Sequence, residues 1–136
     1  MSKIIEVNFP GGKKVGASVN GHVILTDQPA SNGGENTAPS PFDLFLASIA
    51  TCGGFYAAEF CHKRDIGLEG LSLRLVCEPD PETRLYGKMI FELCLPAGFP
   101  EDQVDALKRS INACTVKKHM MDTPAFDIRV KETVPA

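Results

Sequence analysis

Apolar and polar residues alternate along the first 27 residues of the chain. An alternating run from Ile5 to Phe9 is followed by two more, Val15 to Val19 and Val23 to Leu25. Turn-forming residues such as Asn20-Gly21 separate the runs. Because alternation with a period of two is typical of half-buried strands, this pattern predicts an antiparallel meander of three strands over residues 1–27.

The next segment changes from loop to helix. Residues 28–39 (QPASNGGENTAP) have no apolar period and predict a loop. Ser40 then supplies a helix N-cap, and Pro41 suits the first helical position, so a helix is predicted over residues 40–65. Its residues are apolar on nearly every face, which predicts a helix buried all round, as the central element of the domain or of a dimer.

The second half of the chain predicts a hairpin over residues 69–95, a helical segment over 101–122 and a closing strand over 125–132. The order of elements is typical of an α+β fold, with an antiparallel sheet packed against helices. At 136 residues and 43% hydrophobic content, the chain is expected to form a single domain, residues 1–136.

Charge and hydropathy argue against nucleic acid and membranes as partners of this protein. The net charge is −3 and the basic residues are scattered, so neither nucleic acid nor an anionic membrane is an expected partner. The longest uninterrupted apolar stretches, such as Leu44 to Cys52, are too short to cross a bilayer. The first residues lack the apolar segment of a signal peptide, so a cytoplasmic protein is expected.

Five cysteines carry the candidate chemistry. No CxxC motif is present, so the spacing favours neither a zinc site nor a disulfide framework. Cys52 and Cys61 share one predicted helix, where nine residues place them on opposite faces and ~13.5 Å apart along the axis. Periodicity permits Cys114 to meet Cys52 and does not establish that it does.

The other two cysteines lie on the predicted hairpin. A turn centred near Pro81 would place Cys77 opposite about Leu85, which leaves Cys94 beyond disulfide reach. Both are interpreted as ordinary strand residues.

The three histidines, His22, His62 and His119, have no spacing typical of a metal site or a catalytic dyad. Gly33-Gly34 does not lead into a phosphate-binding helix, so nucleotide binding has little support.

Two segments carry a family resemblance. Residues 38–52 (APSPFDLFLASIATC) resemble the central-helix signature of the OsmC/Ohr superfamily, in which a proline-led apolar helix delivers a cysteine. Residues 111–116 (INACTV) are similar to the second cysteine segment of that family. The resemblance extends from about Lys13 to Val130. It implies an OsmC-like fold, with antiparallel sheets wrapped around a long central apolar helix in an intertwined homodimer.

The resemblance also implies an activity, the thiol-dependent reduction of small organic hydroperoxides in an apolar pocket. By position, Cys52 would be the peroxidatic nucleophile and Cys114 the resolving thiol. An external dithiol reductant would recycle the disulfide, and neither a metal nor a bound organic cofactor is expected.

Active relatives ionise the first cysteine with an arginine that a glutamate holds. The chain departs from both positions, because Lys13 stands where the arginine is expected and Phe42 where the glutamate is. A lysine lacks the guanidinium fork and would hold a carboxylate and a thiolate less rigidly. Asp43, one place later, is either a displaced partner of Lys13 or an anion at the helix N-terminus. The candidate site residues are therefore Cys52, Cys114, Lys13 and Asp43.

Two other functions stay open at this point. The same fold could bind a small apolar ligand at the dimer interface without catalysis. The chain could also be a different thiol enzyme, for disulfide exchange or for hydrolysis, and a hydrolase would need His119 as the base beside Cys52.

Overall fold

Two antiparallel sheets and three α-helices make up the described part of the chain. The computed structural model describes residues 2–131. The elements follow in the order β1 (Glu6–Gly11), β2 (Lys14–Val19), β3 (His22–Thr26), α1 (Pro41–His62), β4 (Ser72–Pro79), β5 (Tyr86–Cys94), α2 (Val104–Asn112) and α3 (Thr115–Met121). The predicted α+β class with antiparallel sheets and a long helix is confirmed. The chain divides within α1 into two compact units, Met1–Thr51 and Cys52–Ala136.

The first unit contains the meander. Its sheet has the order β1-β2-β3, and the β2–β3 register pairs Val19 with His22. The turn between them consists of Asn20 and Gly21, both in the left-handed region with φ of 49° and 79°. Two consecutive positive φ values match the right-handed twist of the flanking strands, which explains why Asn-Gly forms this hairpin.

A buried carboxylate organises the loop after β3. Asp27 is fully buried and accepts hydrogen bonds from the N–H of Gln28 (2.8 Å), from the N–H of Thr37 (3.1 Å) and from the Thr37 hydroxyl (2.7 Å). These donors, the Thr37 hydroxyl foremost, lower the pKa of Asp27 to about 2. Lys14 and Glu35 form an ion pair of 2.9 Å over the same loop. The loop is therefore closed by specific polar contacts.

We expect Asp27→Asn to lower the melting temperature by about 5–10 °C. The NH2 group of an asparagine would face the N–H and the hydroxyl of Thr37, which are both donors, and their hydrogen bonds would be lost. Since the folded-state pKa of Asp27 lies below its ordinary value of 3.8, its stabilisation is present above about pH 4 and is lost as the pH falls towards 2. Thermal melts between pH 7 and pH 2 should show this loss in the wild type and a smaller one in Asp27→Asn. The exposed Asp122→Asn is the control, and a pH profile of Asp27→Asn identical to that of the wild type would contradict the assignment.

Helix α1 has well-defined ends. The Ser40 hydroxyl accepts a hydrogen bond from the N–H of Asp43 (3.1 Å), which caps the N-terminus as predicted. The helix ends at His62, three residues before the predicted end, because Asp65 takes a left-handed conformation (φ 54°). The N–H of Ile66 then bonds to the carbonyl of Cys61 (2.9 Å), which completes a Schellman motif.

The apolar surface of α1 is only partly covered. Its 22 residues meet the length and composition of a membrane span, which the shorter uninterrupted apolar run in the sequence did not indicate. Within the described chain, 28% of this apolar window is buried. A core helix of a soluble protein passes the same test. Phe42 and Phe55 are 51% and 59% exposed. The helix is therefore not buried all round by the described chain alone, and its burial within a dimer stays a prediction.

The second unit contains the β4–β5 hairpin, whose register differs from the prediction. Cys77 pairs with Met89 rather than with a residue near Leu85. The reason is a longer turn, in which the N–H of Asp80 bonds to the carbonyl of Leu85 (2.7 Å) and Arg84 has a φ of 62°. Cys94 lies opposite Ser72, so the two hairpin cysteines remain far apart in the ladder.

One hydrophobic cluster forms the core of this unit. Its buried members come from α1 and α2, and they are Ala57, Phe60, Leu107 and Ile111. Apolar side chains of the hairpin pack against the cluster, among them Leu73, Phe91 and Leu93. This packing fixes α2 against the second half of α1.

The predicted closing strand over residues 125–132 is not formed. Residues 123–131 have no regular structure, and residue 132 lies outside the described residues. Phe126, Ile128 and Val130 are 91%, 96% and 85% exposed. The alternating pattern is present, but a strand also needs a hydrogen-bonded neighbour. Within residues 2–131 this segment has no strand partner.

Candidate redox-active cysteine site

The structure separates the five cysteines, all of which are free thiols, by their surroundings. Cys61 is fully buried, and burial raises its pKa against the opposing charge of Arg64. Cys77 lies within the apolar hairpin ladder and Cys94 is exposed. None of these three contacts another thiol in the described interactions. Cys52 and Cys114 remain.

Cys52 and Cys114 lie side by side, although they are far apart in sequence. The Cys52 side chain lies close enough to the thiol of Cys114 to raise its pKa. Cys52 projects from the middle of α1 and is half-buried. Cys114 is the N-cap of α3, where its sulfur accepts a hydrogen bond from the N–H of Lys117 (3.3 Å). Neighbouring thiols of this kind are the starting point for an intramolecular disulfide.

The two thiols differ in access and in electrostatics. Cys114 is 1% exposed, and burial raises its pKa. The backbone N–H of Lys117 opposes this shift, whereas the neighbouring Cys52 side chain adds to it. Cys114 is therefore held mainly as a neutral thiol. The half-buried Cys52 is the sulfur that a solute can reach first.

A glycine next to Cys52 sets this arrangement. Gly53 is buried, and a Cβ at this position would lie 2.6 Å from Cζ of Phe91 and 3.4 Å from Cγ2 of Ile111. Both side chains belong to the layer packed against α1. The absence of a side chain at Gly53 therefore permits Phe91 and Ile111 to pack closely against α1, and Ile111 lies three residues before Cys114.

The sequence interpretation missed Gly53. A signal was present, since glycine inside a helix costs about 1 kcal/mol relative to alanine and usually has a packing or functional reason. Two consecutive glycines, Gly53 and Gly54, follow the cysteine.

A second contact joins the same two segments. The Tyr56 hydroxyl and the Thr115 hydroxyl are 3.2 Å apart and share a hydrogen bond. Tyr56 lies one turn after Cys52, and Thr115 directly follows Cys114. The sequence interpretation missed this pair too, because neither residue belongs to a recognisable motif.

The other two predicted site residues lie in the first unit. Lys13 is exposed in the β1–β2 turn, and its Cε would lie 3.4 Å from a Cβ at Gly33. Asp43 is exposed in the first turn of α1. Among residues 2–131 no ion pair joins Lys13 to Asp43, and Lys14 is the lysine that pairs with a carboxylate, Glu35. The activating role of Lys13 and Asp43 stays a prediction.

The histidines make other contacts. His119 directs Nδ1 to the carbonyl of Thr115 (2.8 Å), and His62 lies 3.6 Å from Glu59. In the described part of the chain, no three histidine, cysteine or acidic side chains cluster in a way that could hold a metal ion.

Comparison with known proteins identifies the family. The family model for OsmC-like proteins matches residues 34–129, well over half of the chain. The chain belongs to the OsmC-like protein family. Helix α1 lies within the matched segment, so it is part of the OsmC-like domain. No match was found among curated proteins.

Solved structures share the OsmC-like fold at low sequence identity. A protein from Psychrobacter arcticus 273-4, named for osmotic stress induction and a detoxification response, is 20% identical, with a TM-score of 0.70 over 84% of this chain and 85% of its own. The organic hydroperoxide resistance protein OsmC from Legionella pneumophila is 20% identical (TM-score 0.56, covering 88% and 89%). An OsmC-like protein from Mycoplasma pneumoniae is 13% identical (TM-score 0.64, covering 90% and 89%).

Proposed function

We propose that this OsmC-like protein reduces organic hydroperoxides, with Cys52 as the attacking thiol and Cys114 as the resolving thiol. The observation that carries the proposal is that these two side chains, 62 positions apart in sequence, are close enough for Cys52 to raise the pKa of Cys114. Family membership and the hydroperoxide resistance protein among its structural neighbours support the same reaction class. The raised pKa of Cys114 and the greater accessibility of Cys52 support this division of roles.

The reaction balances without a metal or a bound organic cofactor. The Cys52 thiolate attacks the terminal oxygen of the hydroperoxide, the O–O bond breaks, and the alkoxide leaves as the alcohol after taking a proton. Cys52 is then a sulfenic acid. The Cys114 sulfur attacks the Cys52 sulfur, and hydroxide leaves as water with the proton of Cys114. An external dithiol reduces the disulfide and returns both thiols.

Aromatic side chains near Cys52 support an apolar substrate. Phe55, three residues after Cys52 on α1, is 59% exposed. Its ring contacts that of Tyr56 edge to face, with centroids 5.4 Å apart. An organic group on the peroxide would cover this apolar surface, whereas hydrogen peroxide could not.

We expect the wild type to consume cumene hydroperoxide much faster than hydrogen peroxide, because only the former covers apolar surface. Stopped-flow mixing with one equivalent of each peroxide measures the two rates. One turnover should also lower the protein mass by two hydrogens, as disulfide formation requires. A rate no higher than that of a free thiol would contradict the enzymatic proposal and would favour a ligand-binding role for the apolar surface.

A homodimer in the cytoplasm is part of the proposal. The apolar window of α1 is only 28% buried, which leaves apolar surface of the kind that a second copy buries. The unpaired segment around Phe126 and Ile128 has the alternation of a strand and no partner within the described chain, so a second copy would also supply an edge for it.

Sedimentation equilibrium should give twice the chain mass of 14.7 kDa. We expect Ile128→Asp to shift the protein towards monomer, because the substitution places a charge on a strand that should be buried in the dimer. The substitution Thr123→Asp, just before the alternating run, is the control. A wild type that is monomeric at all concentrations would contradict the assembly.

A further inference from the structure

A hydrogen bond between the hydroxyl groups of Tyr56 and Thr115 lies near the two cysteines. Tyr56 and Cys52 are four residues apart on α1, so both side chains project from one face, about 6 Å apart along the axis. Thr115 and Cys114 are consecutive residues at the start of α3. The Tyr56–Thr115 hydrogen bond of 3.2 Å therefore joins the two segments that carry the neighbouring cysteines.

We propose that Tyr56 and Thr115 are positioning residues that hold Cys114 against Cys52 while the disulfide forms and breaks. This inference deepens the proposed function and rests on it for its biological role. The hydrogen bond involves no reacting atom, so it persists through the dithiol, sulfenic acid and disulfide states.

The attack of Cys114 on the Cys52 sulfenic acid depends on how the two sulfurs are positioned. The resolving sulfur must lie about 3–3.5 Å from the electrophilic sulfur, and an oriented pair reacts far faster than two free solutes. Burial raises the pKa of Cys114, so little of it is the reactive thiolate at neutral pH. A small reactive fraction makes the time that Cys114 spends in contact with Cys52 decisive.

The backbone of Thr115 is fixed well enough to serve as an anchor. Its carbonyl accepts a hydrogen bond from Nδ1 of His119 (2.8 Å), and the preceding Cys114 is tied by its own bond to the N–H of Lys117. Tyr56 lies within α1 and next to Ala57, a fully buried residue of the core cluster. The hydroxyl pair thus joins two ordered elements, and loss of either hydroxyl leaves both elements otherwise intact.

The test uses Tyr56→Phe and Thr115→Val, each of which removes one hydroxyl and little else. The readout is the equilibrium constant of the Cys52–Cys114 disulfide against glutathione, which reports the effective concentration of one thiol at the other. We expect each variant to lower this constant about 3- to 10-fold, as loss of one hydrogen bond would. The double variant should show no further loss, because both substitutions remove the same bond.

Kinetic measurements provide a second readout, because a general loss of stability would not slow disulfide formation alone. The first step, consumption of one equivalent of cumene hydroperoxide, should keep its rate in Thr115→Val. The Cys52 sulfenic acid should live longer and be trapped more by dimedone. Thr115→Ser retains the hydroxyl and should restore the wild-type constant.

The outcomes separate the two proposals. A glutathione constant within twofold of the wild type in Tyr56→Phe and Thr115→Val would overturn the positioning role, as would an equal fall in Thr115→Ser. If the constant falls as expected and the wild type does not reduce hydroperoxides, the positioning role stands and the proposed function fails. Additive losses in the double variant would also overturn the inference.

Discussion

Replacing Cys52 by serine should abolish the consumption of cumene hydroperoxide, by about a thousandfold or more, because a serine hydroxyl is not ionised at neutral pH and is a far weaker nucleophile. Replacing Cys114 by serine should leave the first turnover intact and stop the cycle after it. In that variant Cys52 accumulates as sulfenic acid, since the thiol that contacts it is gone. Stopped-flow consumption of peroxide and mass spectrometry after dimedone treatment measure the two effects.

The exposed Cys94 provides the matched control. Cys94→Ser should retain full activity, because this residue lies opposite Ser72 on the hairpin and contacts no other thiol among the described interactions. The assignment of roles would be reversed if Cys114→Ser lost the first turnover and Cys52→Ser kept it. Equal activity in all three variants would show that the peroxide is not reduced by thiols of this site.

Adding one methyl group at Gly53 should destabilise the protein by about 1–3 kcal/mol, the usual cost of overpacking a close contact. A Cβ there would lie 2.6 Å from the ring of Phe91, so the hairpin or α2 must shift. Because α2 leads into Cys114, Gly53→Ala should also weaken the Cys52–Cys114 disulfide. Urea unfolding of the reduced protein and the glutathione equilibrium measure the two consequences.

The neighbouring glycine makes a sharp control. A Cβ at Gly54 would meet no atom within 4 Å, and the position is within the helix, so Gly54→Ala should stabilise the protein by about 0.5–1 kcal/mol. Phe91→Leu should relieve part of the cost of Gly53→Ala, since it removes the atoms that clash. Equal effects of the two glycine substitutions would contradict the close contact.

Local elements of this fold follow from the sequence where the determining interactions are local. The Asn20-Gly21 turn and the Ser40-Pro41 helix start depend on residues a few positions apart, and both form where predicted. The β4–β5 register does not follow in this way, because the turn at residues 80–85 is longer than the proline spacing indicates. The strand pattern around Phe126 is present in the sequence, yet a strand also needs a hydrogen-bonded neighbour, and none lies beside this segment within residues 2–131.

The candidate site, too, depends on long-range packing that the sequence pattern does not reveal. Periodicity could only permit Cys52 and Cys114 to meet, and it was the family resemblance that singled out the pair. The close packing of Phe91 and Ile111 against Gly53 is a long-range feature with no sequence period. The Tyr56–Thr115 contact depends on the same packing and was invisible for the same reason.

Formation of a disulfide between Cys52 and Cys114 would also change the global stability of the protein. A covalent bond between them would enclose the hairpin and α2 in one loop of about 60 residues, and the lost chain entropy of the unfolded state corresponds to roughly 4 kcal/mol. The oxidised protein would thus resist unfolding and proteolysis better than the reduced one. Each catalytic cycle would therefore alternate between a more stable oxidised protein and a less stable reduced protein.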